Sequence, residues 1–424
     1  MEEKMRQDDH IKYEKLLRSE LIRALGCTEP GAVGYAAAKA ASVLGGLPHH
    51  IDMYCSANII KNVKSVNVPN SDGMKGIEAA TVLGLLSGVP DDALEIFKHI
   101  DAPTIEKAKK MIGEGFCKVH LQENEDNLYI RAEVKNAEDT AEVIIRGTHT
   151  NIIQIRKNGE IIVAKHEEKK ADSSTDFMSL AGIIEFADTA DAALLEDLFS
   201  LQCKENMEIA EEGMTNDYGA CIGKVLVDAY GSDIRTRAKA KAAAGSDARM
   251  GGSSMPVVIN SGSGNQGITL TVPVVEYARE WNVGDEKMYR AMAISNLISI
   301  HIKKNIGKLS AFCGAVSAAC GAGAAITYMA GGTYKQICDT LASTLANVGG
   351  IICDGAKGSC AAKIASSVDA AILAHEMAIR GQAFRPGDGV VADDIEETIR
   401  NFGIVGREGM HGTDVTIMKL MIGC

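Results

Sequence analysis

Leu309-Ser-Ala-Phe-Cys-Gly-Ala-Val-Ser-Ala-Ala-Cys-Gly-Ala-Gly323 and Gly350-Ile-Ile-Cys-Asp-Gly-Ala-Lys-Gly-Ser-Cys-Ala-Ala-Lys363 are built from residues small enough to let helix backbones approach closely. The same stretches carry four cysteines. Cys353 and Cys360 flank the polar turn Asp354-Gly-Ala-Lys-Gly-Ser359, and Cys313 opens, or lies early on, a small-residue helix. A pair of loop cysteines with a third on a nearby helix reads as a three-point iron–sulfur mount, because thiolates are the ligands these clusters take. Three ligands leave one iron open to a substrate. The other reading is core, since free cysteine behaves as a small hydrophobe and packs well in a Gly/Ala-rich helix. There is no dense Cys-x-x-Cys repeat, and structural zinc takes four ligands in closer pairs. Spacing leaves cluster and core both open.

Composition agrees with helix packing. Hydrophobic residues make up 46% of the 424 positions but aromatic ones only 4%, so Ala, Val, Ile, Leu and Met fill the core. With 43 glycines, close helix crossings are favoured over a β-sandwich. The length suffices for two or three domains. A net charge of −12 argues against nucleic acid and anionic membranes as partners. No apolar run reaches the roughly 18–20 residues of a membrane span, and Met1-Glu-Glu-Lys-Met-Arg-Gln-Asp-Asp-His10 does not read as a signal peptide. A cytoplasmic location is therefore expected. In that reducing setting the eleven cysteines are core, metal or catalytic thiols rather than disulfides.

Along the chain, Ile11, Leu16, Leu17, Leu21 and Ile22 fall at helical spacing over about 10–24, and the helix ends at Gly26. In Gly26-Cys-Thr-Glu-Pro-Gly31, Thr28 reads as the N-cap of a second helix reaching Leu44, with Glu29 and Pro30 in its first positions. Cys27 then stands just before a helix N-terminus, where the dipole lowers a thiol pKa. It is the best thiolate candidate outside 313–360, with core burial as the alternative. From about 50 to 169 the pattern changes to alternation. Ile51-Asp-Met-Tyr-Cys-Ser56, Val63-Lys-Ser-Val-Asn-Val68, Cys117-Lys-Val-His-Leu121, Leu128-Tyr-Ile-Arg-Ala-Glu-Val134, Ala141-Glu-Val-Ile-Ile-Arg146 and Ile152-Ile-Gln-Ile-Arg156 read as half-buried strands. Lys157-Asn-Gly-Glu160 is a hairpin signal, and helices are expected near 76–86 and 104–113. His149, in Gly147-Thr-His-Thr-Asn151, reads as a loop histidine bonded to nearby backbone, with ligand contact as its other use.

The charged run 166–176 reads as a solvated linker. After it only helices are expected, at about 180–187, 192–214, 216–229, 233–244, 287–303, 311–328, 334–346, 360–379, 392–401 and 413–421. Between them lie Gly245-Ser-Asp-Ala-Arg-Met-Gly-Gly252 and Asn260-Ser-Gly-Ser-Gly-Asn-Gln-Gly267, the latter running into a helix at Ile268. Neither matches a nucleotide-binding fingerprint. They read as turns between helices, or as backbone capture of a small carboxylate with Arg249 as clamp. The expected fold class is α+β. An all-helical, Gly/Ala-rich cluster-binding domain (175–424) is joined by a smaller α+β domain with an antiparallel sheet (49–170), and N-terminal helices (1–48) pack on the helical part. A homo-oligomer, most simply a dimer, is expected from the flat Ala/Gly-rich helical surface.

Taken together and in order, Leu25-Gly-Cys-Thr-Glu-Pro30, Ser246-Asp-Ala-Arg-Met-Gly-Gly252, Asn260-Ser-Gly-Ser-Gly-Asn-Gln-Gly-Ile268, Leu309-Ser-Ala-Phe-Cys313 and Ile352-Cys-Asp-Gly-Ala-Lys-Gly-Ser-Cys360 resemble the L-cysteine desulfidase family. That family is related to the α domain of bacterial iron–sulfur L-serine dehydratases, and the likeness covers nearly the whole chain. The resemblance implies an oxygen-sensitive [4Fe-4S] cluster acting as a Lewis acid, with Cys313, Cys353 and Cys360 as ligands and Cys27 as the base. It leaves Cys320 out of the ligand set. It also implies that the two polar loops touch the substrate, through Arg249, Ser261, Asn265 and Gln266. The implied reaction is β-elimination from the small amino acid L-cysteine to pyruvate, ammonia and sulfide. No pyridoxal phosphate is needed, and no lysine motif for it stands out. Loss of water from L-serine at the same site is the near alternative; a non-catalytic iron–sulfur or redox-sensing protein is the distant one. Likeness to the serine dehydratases further suggests that Cys424, on a C-terminal tail, reaches the open iron until substrate displaces it.

Overall fold

Side-chain caps set many of the boundaries. Ser56, Asp101, Ser179, Asp191 and Asp233 each accept a backbone N–H two or three residues on, at the start of a helix, a contact worth about 1 kcal/mol apiece. The computed structural model describes residues 7–123, 125–165, 176–307 and 310–422. The run 166–175, most of the expected linker, and Cys424 lie outside the described residues.

The first half holds α1 (Gln7–Glu20), β1 (Arg23–Leu25), α2 (Thr28–Leu44), β2 (His50–Cys55), α3 (Ala57–Val63), α4 (Gly76–Ser87), a 3-10 turn (Pro90–Glu95) and α5 (Ala102–Gly113). Five strands follow: β3 (Cys117–Leu121), β4 (Tyr129–Lys135), β5 (Thr140–Arg146), β6 (Ile152–Lys157) and β7 (Glu160–Ala164). Six strands form one sheet in the order β3-β2-β4-β5-β6-β7. It is mixed rather than wholly antiparallel: β2 and β3 run parallel, because the helices between them return the chain to the same end of the sheet. One face is apolar, with Ile51, Met53, Ile130, Ala132, Val143 and Ile145 buried against α2 and α4. Residues 63–68 are not a strand. Ser56 caps α3, whose Ile59 and Val63 fall one turn apart and point into the same core, and Asn67 makes only an isolated bridge to Lys75.

The second half holds α6 (Leu180–Thr189), α7 (Ala192–Thr215), α8 (Ile222–Tyr230), α9 (Ile234–Met250), β8 (Pro256–Val258), α10 (Gly264–Glu280), α11 (Asp285–Ile306) and α12 (Gly314–Met329). Then come α13 (Tyr334–Val348), α14 (Cys360–Ile379), α15 (Ile395–Ile404) and α16 (His411–Ile422). Nearly every residue of α12 is buried, with α10, α11, α13 and α14 packed around it. Among the described residues no helix is long and apolar enough to cross a membrane.

Four expectations change here. Residues 245–250 are the last turns of α9, not a loop: Ser246, Asp247 and Ala248 are buried, and one glycine costs a helix only about 1 kcal/mol, which packing on all sides outweighs. The second half is not all helix, since β8 pairs antiparallel with β1. That pairing ends α1 at Glu20, short of the expected residue 24. Finally, the two N-terminal helices part company. Tyr13 and Leu17 of α1 join the helical core, whereas the alanine face of α2 packs on the sheet.

Candidate active site

A cavity of about 220 Å³ lies where the sheet region meets the helices, and Cys313, Cys353 and Cys360 all line it. Local structure explains their convergence. Phe312 and Ile352 form an isolated antiparallel bridge. The Cys353 N–H donates to the Ala311 carbonyl at 2.6 Å and the Cys313 N–H to the Ile351 carbonyl at 3.0 Å, which holds the two cysteines side by side. Cys313 is also the N-cap of α12, and Cys360 is the first residue of α14. With α10, whose first turn supplies Asn265 and Gln266 to the lining, three helix N-termini border the cavity. Their N–H groups and dipoles favour anions there. The hydrogen bond between the two thiols pushes Cys313 well above the ordinary thiol range and holds Cys353 below it.

Cations surround these sulfurs. Lys61 is buried and paired with Asp414 at 2.6 Å, and Lys363 is paired with Asp354. Lys303, on α11, is 6% exposed and lines the cavity with no carboxylate or hydrogen-bond acceptor among the described residues. Burial pushes its ammonium below the ordinary range, opposed by the neighbouring Cys353 and Cys313. Nothing local marked Lys303 in the sequence, where Lys303-Lys304 reads only as charge at a helix C-terminus.

Cys27 is placed differently from its expectation. It is itself the N-cap of α2, not Thr28, whose hydroxyl lies 2.8 Å from the Gly262 carbonyl. Cys27 does not line the cavity. It packs among Val66 and Met250, with Ala356 and Cys360 against that cluster, and its Sγ lies 3.9 Å from Met250 Sδ. Burial pushes the thiol up to about 11, against the pull of Arg249; the dipole does not lower it as expected. Cys320 is buried in the middle of α12, away from the lining.

Arg249, Ser261, Asn265 and Gln266 all line the cavity. Arg249, buried at the end of α9, donates through Nε to the Gly26 carbonyl and through Nη1 to Asn265 Oδ1, each at 3.1 Å. It thus ties the turn before α2 to the start of α10. Ser261 has φ +50° and donates to Asn260 Oδ1 at 2.9 Å. The Gln266 amide lies so close to Gly314 that a Cβ there would stand 2.7 Å from its carbon; its Oε1 is buried without a partner. His149 also lines the cavity, its ring against Gly262. Glu29, Asn58 and Asn62 line it too. Of these, sequence reading gave Glu29 only a place in a helix turn, and carried no signal for the two asparagines.

The donor set is suited to iron–sulfur chemistry. Among the described residues no three His, Cys, Asp or Glu side chains surround a single ion position. A cluster makes a different demand, since each thiolate binds its own iron, and three thiols around one cavity, two flanking one loop and the third at the start of α12, meet it. The helix N-termini and the lone ammonium of Lys303 supply the positive field that several thiolates require.

Comparison with known proteins shows the family. Residues 92–419 match the family described as serine dehydratase alpha chain. A UPF0597 protein of Lachnoclostridium phytofermentans is 47% identical over 409 residues, 96% of this chain and 98% of its own. Another, from Desulfitobacterium hafniense, is 48% identical over 421 residues, 98% of each chain. A third, from Treponema denticola, is 44% identical over 422 residues, 97% of this chain and 98% of its own. The matched region takes in the three converging thiols, Lys303, Arg249, the 260–263 turn and the start of α10. The chain belongs to the serine dehydratase alpha chain family.

Proposed function

We propose that the protein is a lyase that eliminates the β-substituent of a small amino acid, taking L-cysteine to pyruvate, ammonia and sulfide. Cys313, Cys353 and Cys360 would hold a [4Fe-4S] cluster. The supporting observation is the convergence of these thiols on one cavity beside the ammonium of Lys303, unpaired among the described residues. When bound, such a cluster supplies a Lewis acid at the iron that lacks a protein thiolate.

The chain's own residues account for the rest. The guanidinium N–H groups of Arg249 that Gly26 and Asn265 do not occupy, the Asn265 amide and the first N–H groups of α10 receive the α-carboxylate. Phe312, Ile259, Leu94 and Ile364 line the cavity with apolar surface that excludes water. Cys27 is the proposed acceptor of the α-proton. Its thiol, held up at about 11, must first ionise, and Arg249 and Lys357 are the cations placed to stabilise the anion. It also stands behind Ala356 and Cys360, so it acts only when that side of its pocket gives way.

A second reading, loss of water from L-serine, is favoured by the family match. One experiment separates the two. Protein purified without oxygen is assayed for iron and for sulfide and pyruvate from each amino acid, alongside Cys353→Ala and Cys360→Ala. About four irons per chain, with sulfide release that both variants abolish, supports the desulfidase reading. Iron with pyruvate from serine alone moves the activity to dehydration. Neither iron nor turnover after reconstitution refutes both.

A further inference from the structure

We infer that the α2–α3 side of the cavity is an ammonium subsite, in which Glu29, Asn62 and Asn58 take the α-amino group of the substrate; this rests on the amino-acid lyase reading above. Asn58 and Asn62 lie one turn apart on α3, so their side chains share a face. The Asn62 amide donates to Glu29 Oε1 at 3.0 Å, and that of Asn58 to Asn127 Oδ1 at 3.0 Å. A carboxylate only accepts, so the Asn62 amide is oriented with its NH₂ toward Glu29. Asn62 Oδ1 is then left over, and it and Asn58 Oδ1 are buried with no donor among the described residues, on residues 6% and 4% exposed. Buried acceptors without donors are rare in folded proteins. Here two stand beside a carboxylate in one cavity.

Glu29 is short of donors as well. Thr28 Oγ1 lies 3.1 Å from Glu29 Oε2, but its single proton has the Gly262 carbonyl at 2.8 Å. Among the described residues Glu29 makes no ion pair, and the neighbouring Lys357 donates to the Lys61 carbonyl at 3.2 Å. The cavity is therefore polarised. Donors (Arg249 and the α10 N-terminus) occupy one part and unfilled acceptors another, which is the pattern of a zwitterion. An ammonium brings one positive charge and three N–H donors.

The subsite also abuts the cysteine loop. Gly355, between Cys353 and Cys360, has φ +94°, and a Cβ there would stand 2.8 Å from Asn62 Oδ1. A glycine keeps that acceptor clear.

The test uses protein loaded with iron without oxygen and two probes that carry no leaving group. L-alanine has the ammonium, and L-lactate has a hydroxyl in its place. By calorimetry, wild type should bind L-alanine at least about tenfold more tightly than L-lactate, since a site built for donors rejects a ligand lacking them. Glu29→Gln, which keeps the shape, should shrink that preference to within about threefold while leaving L-lactate affinity unchanged. If wild type binds both probes alike yet turns over L-cysteine or L-serine, the inference fails and the lyase reading stands. If it binds neither and turns over neither, both fail. If potassium chloride alone raises the melting temperature of wild type but not of Glu29→Gln, and L-alanine does not compete, the acceptors hold an alkali cation and the inference fails.

Discussion

Replacing Lys303 by methionine separates the cost of a lone buried charge from its use. Lys303 is 6% exposed, has no counter-carboxylate among the described residues, and sits near Cys313 and Cys353. In iron-free protein the main consequence is desolvation. A methionine of similar length removes an uncompensated buried charge, so stability should rise by about 2 kcal/mol, within the range seen when buried charges give way to apolar residues. In the loaded protein the sign reverses. Two opposite unit charges at about 4 Å and an effective dielectric of about 20 attract by about 4 kcal/mol; half of that, about 2 kcal/mol, is about thirtyfold in retention. Thermal unfolding of the iron-free variant and anaerobic iron release to a chelator read the two halves separately. A variant that melts lower without iron, or that keeps its iron as wild type does, refutes the assignment of Lys303 as countercharge.

Other substitutions probe the surroundings. Arg249→Lys loses the fork that spans Gly26 and Asn265; KM for the amino acid should rise by about ten- to a hundredfold, the equivalent of one charged hydrogen bond, with kcat less affected in steady-state assays. Cys320→Ala, in the α12 core, should keep full iron content and lose about 1 kcal/mol in urea unfolding. Gly355→Ala forces a side chain into φ +94° against Asn62 Oδ1, and its urea midpoint should fall by the equivalent of about 1–2 kcal/mol. Glu396 carries a pH prediction. Burial alone would raise its carboxyl, but His301 Nε2 and the Leu180 N–H, each at 2.6 Å, hold it below its ordinary value. Its stabilisation is therefore complete above the unfolded pKa of about 4.3 and lost as pH falls through the lower folded value. Glu396→Gln should be less stable than wild type at neutral pH, and the gap should close on acidification.

Local signals explain what was legible in the chain. The alternation of 128–134 and 141–146 placed the central strands β4 and β5, because a half-buried strand writes its two faces into every second residue, and the Asn158-Gly159 turn placed the β6–β7 hairpin. Residues 63–68 misled because a short apolar alternation does not separate strand from helix, and the Ser56 cap lies outside the stretch. The buried end of α9 misled because Gly, Ser and Asp are turn formers in water and space savers between helices.

By itself the sequence determined an α+β chain of small residues and the four segments that supply the cavity's thiols and polar loops, since these rest on residue type and short spacing. Tertiary structure alone decided that Cys27 stands behind Cys360 rather than in the cavity, where burial raises its thiol, and that Lys303, Glu29 and Asn62 face the same space as the three cysteines. Their meeting depends on how α2, α3 and the turn after β5 come together with α10, α11 and α12 around the cavity. No local spacing encodes a neighbour that packing brings from the other half of the chain.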